Sequence, residues 1–158
     1  MKWVKQSIHY WCPDTKEQKF LGQNVTVAIL DTGISPHPDF KGRILSFRDF
    51  SNTTGSSEKV LFSFSHFSPL IDNSGHGTHV AGILAGSGLL SSGTYAGIAP
   101  FCNLIIGKVL DQNGNGSIKN VINGIQWIRD IYTQFHIRII NISVGTRPDL
   151  SIHQKLLL

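Results

Sequence analysis

Apolar positions in this chain fall in short blocks, and their spacing changes along the sequence. Val25-Thr26-Val27-Ala28-Ile29-Leu30 is an uncharged run rich in β-branched residues. Such a run reads as a strand buried on both faces. Asp31-Thr32-Gly33 ends it. Ile44-Leu45-Ser46-Phe47, Leu104-Ile105-Ile106-Gly107-Lys108-Val109 and Arg138-Ile139-Ile140-Asn141-Ile142-Ser143 are three further candidate strands. Between them the period changes. Residues 76–85 are small and apolar, contain no Pro, and fit a buried helix. Ile118, Val121, Ile122, Ile125, Ile128 and Tyr132 recur at helical spacing after Ser117, a good N-cap, so an amphipathic helix is predicted to run to about Thr133. Strands alternating with helices predict an α/β fold with a parallel sheet and right-handed crossovers. In such sheets ligands bind beyond the carboxyl ends of the strands.

The remaining segments are polar. Residues 1–21 read as an N-terminal extension that packs on the domain or stays mobile, with a turn at Cys12-Pro13-Asp14. Residues 51–71, rich in Ser, Thr and Phe, read as an inserted surface loop. One domain then occupies 22–158. The chain's 158 residues suffice for a sizeable core, and a charged share of 15% against 41% hydrophobic excludes a disordered chain. Sixteen glycines point to tight turns and close backbone approaches. The formal net charge of +4 is scattered, so no nucleic-acid partner is expected. No segment is apolar for long enough to span a membrane, and the first residues lack the apolar stretch of a secretory signal, so a cytoplasmic location is expected. Cys12 and Cys102 form no CxxC and are expected to be reduced structural thiols.

Candidate chemistry centres on two places. Asp31 sits where the first strand ends, either orienting a neighbouring base or satisfying local turn N–H groups. In Asn73-Ser74-Gly75-His76-Gly77-Thr78-His79-Val80-Ala81-Gly82, His76 lies between two glycines at a helix start. Such a histidine is accessible and suits a general base near neutral pH. His79 reads as a buried structural residue. A zinc site would need H-E-x-x-H, with histidines four apart and a Glu between, and this spacing fails it. Asp111-Gln112-Asn113-Gly114-Asn115-Gly116 begins like a calcium loop, but its twelfth position is Ile122 rather than Glu. No metal is expected there.

Several blocks together resemble the subtilisin-like (S8) serine peptidases. They are Val27-Ala28-Ile29-Leu30-Asp31-Thr32-Gly33-Ile34, His37-Pro38-Asp39-Phe40, His76-Gly77-Thr78-His79-Val80-Ala81-Gly82, Gly97-Ile98-Ala99-Pro100, Lys108-Val109-Leu110, Asn113-Gly114-Asn115-Gly116-Ser117 and Asn141-Ile142-Ser143-Val144-Gly145, in the family's order. The resemblance covers roughly residues 22–148 and implies a three-layer subtilisin-like fold and a serine-type endopeptidase. It implies Asp31 as the triad carboxylate and His76 as the triad base. Asn113, Gly114, Asn115 and Gly116 on one side, and Ser143, Val144 and Gly145 on the other, would flank a polypeptide substrate bound as an added β-strand. Asp39 matches a family calcium ligand, but the loop at 86–93 lacks the expected partners, so no calcium and no other cofactor is predicted. The family's nucleophile motif, Gly-Thr-Ser-Met-Ala, and its oxyanion Asn do not occur. The chain is therefore expected to be the N-terminal part of a catalytic domain, ending at the entry to a further helix, and inactive alone. It is expected to be a fragment of a truncated or split gene, with one half of an enzyme completed by a second, C-terminal polypeptide and a peptide-binding module as the alternatives.

Overall fold

The computed structural model describes residues 2–8, 10, 20–51 and 72–145. The expected turn at 12–14, all but the first residue of the expected loop at 51–71, and the helix entry at 149–158 lie outside these residues. Four strands appear: β1 (Thr26–Asp31), β2 (Ile44–Asp49), β3 (Asn103–Lys108) and β4 (Ile137–Ile142). Three α-helices accompany them: α1 (Lys2–Ser7), α2 (His76–Ala85) and α3 (Ile118–Ile131). The strands form one sheet in the order β2-β3-β1-β4, and every pairing is parallel.

β1 is central, and all six of its residues are buried. Its alternating side chains build two cores. Val27 and Ile29 pack with Leu104, Ile106, Ala81 and Ala85 on the α2 side. Ala28 and Leu30 pack with Ile105, Val109, Trp127 and Ile128 on the α3 side. The result is helix, sheet, helix, with β1 apolar on both faces because both are covered. Among the described residues, no helix is long and apolar enough to cross a membrane.

Two helices depart from expectation. α2 is buried on one face only: Gly77, Ala81 and Ala85, spaced by four, touch the sheet, while Ile83 on the other side is exposed. α3 stops at Ile131 rather than near Thr133. The carbonyl of Tyr132 accepts the Ile137 N–H and that of Thr133 accepts the His136 N–H, with His136 at φ +51°, so the chain turns directly into β4.

Near the N-terminus, the Lys5 ammonium donates to the Gly97 carbonyl at 2.9 Å and the Tyr10 hydroxyl to the Ile98 carbonyl at 2.7 Å. These contacts hold the α1 region against the connection that precedes β3. Cys102 is a buried free thiol whose pKa burial pushes up.

Candidate functional site

The site grows from the carboxyl end of β1. Asp31 is the last residue of that strand and pairs in register with Lys108 on β3. Its side chain is fully buried. Asp31 Oδ1 accepts the Thr32 N–H at 2.6 Å and lies 2.8 Å from His76 Nδ1. The buried carboxylate is an acceptor, so Nδ1 carries the proton and Nε2 is left free to accept one. The His76 side chain is 51% exposed, so the acceptor nitrogen belongs to a ring open to solvent. The pKa of His76 is raised, first by the hydrogen bond to Asp31 and then by that carboxylate's charge, against a smaller opposing effect of burial. A more distant charge, that of Asp72, acts in the same direction.

Glycines make this contact sterically available. A Cβ on Gly77 would strike the Gly33 carbonyl oxygen, so only glycine lets α2 approach the turn after β1 so closely. Its N–H donates to Thr32 Oγ1 at 2.9 Å. Gly75, just before the helix, has φ +83° and offers no capping side chain.

The carboxylate of Asp72 does the capping instead. Its Oδ1 accepts the Gly75 N–H at 2.9 Å and its Oδ2 accepts the Thr78 N–H at 2.8 Å. Sequence reasoning missed this residue. The signal was available: a helix opening on glycine has orphan N–H groups, and an Asp just upstream is the natural acceptor. Lys108 was also missed as a site neighbour. It is buried, and its ammonium donates to the carbonyls of Thr32 at 2.5 Å and Leu110 at 2.9 Å. A lone Lys ending an apolar strand was the clue.

The two expected substrate edges leave the strands on either side of β1. Asn113, Gly114, Asn115 and Gly116 follow β3 and are exposed. Asp111 Oδ1 shapes this loop by accepting the N–H groups of Asn113 at 2.8 Å and Asn115 at 2.9 Å. Ser143, Val144 and Gly145 follow β4, whose Ile142 pairs with Leu30. Asn141 Nδ2 donates to Ser143 Oγ at 2.8 Å, and Val144 packs toward the α3-side core. His79 is exposed rather than buried. It lines a shallow cavity of about 270 Å³ with His37, Phe40, Ile83 and Tyr95.

Asp39 was the position matched to a calcium ligand. Its Oδ1 is buried without a hydrogen-bond partner, as a cation ligand would be. Its surroundings, however, are donors. Oδ2 accepts the Gly88 N–H at 3.0 Å, and Arg43 donates to the carbonyls of Asp39, Ala85 and Cys102. A calcium ion needs six to eight oxygens, and an adjacent guanidinium already supplies the positive charge. No cluster of three or more His, Cys, Asp or Glu side chains able to hold a metal occurs among the described residues.

Comparison with known proteins identifies the family. A profile of the subtilase family, Peptidase_S8, matches residues 22–155. The serine protease AprX of Bacillus subtilis is 44% identical over 110 residues, covering 70% of this chain and 22% of that protein. The major intracellular serine protease of the same organism is 37% identical over 131 residues, covering 82% of this chain and 36% of that one. Among solved structures, the Clostridium perfringens CspB protease superposes with a TM-score of 0.71 at 26% identity, over 87% of this chain and 32% of that chain. Sphericase superposes with a TM-score of 0.67 at 28% identity, over 85% of this chain and 41% of that one. The chain thus spans about a fifth to two fifths of these proteins, with a parallel α/β sheet of the subtilisin type, and it belongs to the subtilase family of serine peptidases.

Proposed function

We propose that this chain carries the acid–base half of a serine endopeptidase that hydrolyses peptide bonds by acyl transfer to water. The observation that carries the reading is the 2.8 Å contact between the buried carboxylate of Asp31 and the half-exposed imidazole of His76. His76 Nε2 takes the proton of a serine hydroxyl as that oxygen attacks the substrate carbonyl. It later returns the proton to the leaving amine. Asp31 holds the ring in the Nδ1–H tautomer and stabilises the imidazolium that forms. The polypeptide lies as an added strand between Asn113–Gly116 and Ser143–Gly145, where glycines leave room for its backbone. The serine and the oxyanion donor come from a complementing C-terminal segment, and the 158-residue chain alone is inactive.

The test has two arms. A fluorophosphonate probe is expected to leave the isolated chain unlabelled. Co-expression with the nucleophile-bearing portion of the AprX relative is expected to restore labelling and cleavage of a chromogenic peptide. In that complex His76→Ala removes nearly all turnover, and Asp31→Asn costs about 10⁴-fold in kcat. Activity that survives His76→Ala refutes the assignment. Labelling of the isolated chain refutes its inactivity.

A further inference from the structure

We infer that Asp72 is a positioning residue, one that sets the approach of His76 to Asp31 by tying the turn after β1 to the first turn of α2. This rests on the reading of Asp31 and His76 given above. Asp72 is buried and stands four positions before His76. Its carboxylate faces donors from both elements. From the β1 side, the Thr32 hydroxyl donates to Oδ1 at 2.8 Å. From the α2 side, Ser74 and Gly75 donate their N–H groups to Oδ1, at 3.2 and 2.9 Å. Thr78 donates its N–H and its hydroxyl to Oδ2, at 2.8 and 2.5 Å.

The link continues to the reacting groups. Thr32 Oγ1 gives its proton to Asp72 and accepts the N–H of Gly77, the residue after His76. Thr32 N–H holds the same Asp31 oxygen that receives His76. Ser35 closes the frame by donating its N–H to Thr78 Oγ1 at 2.9 Å. His76 therefore sits on a helix whose first turn is fixed to the end of β1 through one carboxylate and one hydroxyl. Burial pushes the Asp72 carboxyl up, but the hydrogen bonds from Thr78, Thr32 and Gly75 outweigh it and hold the group below the ordinary carboxylate value. Asp72 is thus ionised wherever His76 titrates. A neutral amide cannot replace it, because both oxygens face donors and an NH₂ at either would meet another N–H.

The experiment is the pH dependence of diethylpyrocarbonate acylation at His76, read by peptide mapping on the full chain. The neutral ring reacts, so the midpoint reports the imidazole in place. Asp31→Asn, Asp72→Asn and Thr32→Val are compared with the parent, and far-UV circular dichroism checks that each keeps its fold. Thr32→Val keeps shape and burial, leaves the Asp72 charge in place, and decides the matter should Asp72→Asn unfold. All three are expected to lower the midpoint toward that of an ordinary imidazole, Asp31→Asn most. If Asp31→Asn shifts nothing, the Asp31–His76 reading itself is wrong. A shift with Asp31→Asn and none with Asp72→Asn or Thr32→Val overturns the positioning role. A shift with Asp72→Asn and none with Thr32→Val also overturns it, because the carboxylate then acts through its charge alone.

Discussion

The two flanks of β1 are finished to different degrees. Toward β3 and α2 several polar groups near the strand ends find partners, with Lys108 on two carbonyls, Thr32 on Asp72 and Arg43 on three carbonyls, while Asp31 Oδ2, Asp39 Oδ1 and Arg48 Nε are buried without a hydrogen bond. The apolar side chains between the sheet and α2 are buried, while Ile83 on the outer face of that helix and Leu89 and Leu90 just after it are exposed. Toward β4 a buried core remains around Trp127, Ile128 and Ile137, but more of the strand itself is exposed. Ile139 and Ile140 point to opposite faces of the strand, yet are 53% and 43% exposed. Ile118 and Ile122 on α3, and Tyr132 just after it, are exposed as well. A parallel strand rich in isoleucine is the sequence of an interior strand, and among the described residues it stands at an edge of the sheet. One flank holds itself together, and the other presents surface of the composition that a core normally covers.

Core substitutions break this contrast most sharply. Ile29→Ala, at a fully buried position of β1, is expected to cost about 2–5 kcal/mol. Ile139→Ala on β4 is expected to cost no more than about 0.5 kcal/mol. Urea titration of both variants checks this, and equal losses would show that the β4 flank is as closed as the other.

Next come the glycines of α2. Gly77→Ala drives a methyl into the Gly33 carbonyl and is expected to cost about 1–3 kcal/mol, with loss of the raised His76 midpoint. Gly82→Ala, five residues along the same helix, meets nothing within 4 Å. It is expected to be neutral or to stabilise by up to about 1 kcal/mol. The same titration separates the pair.

The smallest effect is that of pH, and it isolates the closed flank. His76 has a raised pKa, so its contribution is complete below 6.5, its ordinary value, and is lost as pH rises through the folded value. Asp72 has a lowered pKa, so its contribution is complete above 3.8 and is lost as pH falls through the folded value. Urea midpoints should therefore be highest between pH 3.8 and 6.5. The upper limb is shallow because the His76 ring is half exposed to solvent. Asp31→Asn should flatten the upper limb and Asp72→Asn the lower one.

How much of this is legible beforehand depends on the range of each interaction. The strands and α2 are legible because their periodicity is local, and Asp31 and His76 because each lies in a distinctive short block. Asp72 is hidden because it meets Thr32 across 40 positions, while Asp72-Asn73-Ser74-Gly75 by itself reads as an ordinary turn. The exposure of β4 is hidden for a different reason. Its composition states that it is to be covered, and composition carries no record of whether the cover is present. The strand order is not legible either, since β1 and β2 are neighbours in sequence but not in the sheet.

That last feature governs when the site can assemble. β3 lies between β1 and β2, so the early strands have no pairing with each other to hold them in place. The Lys108 bond to the Thr32 carbonyl closes a span of 76 positions. Closing a loop of that length costs about 4 kcal/mol in chain entropy beyond a constant term. Topologies dominated by such distant pairings fold slowly. During synthesis the carboxylate of Asp31 leaves the ribosome long before β3 does, so the Lys108 contact at the end of β1 can form only after 76 further positions have been added.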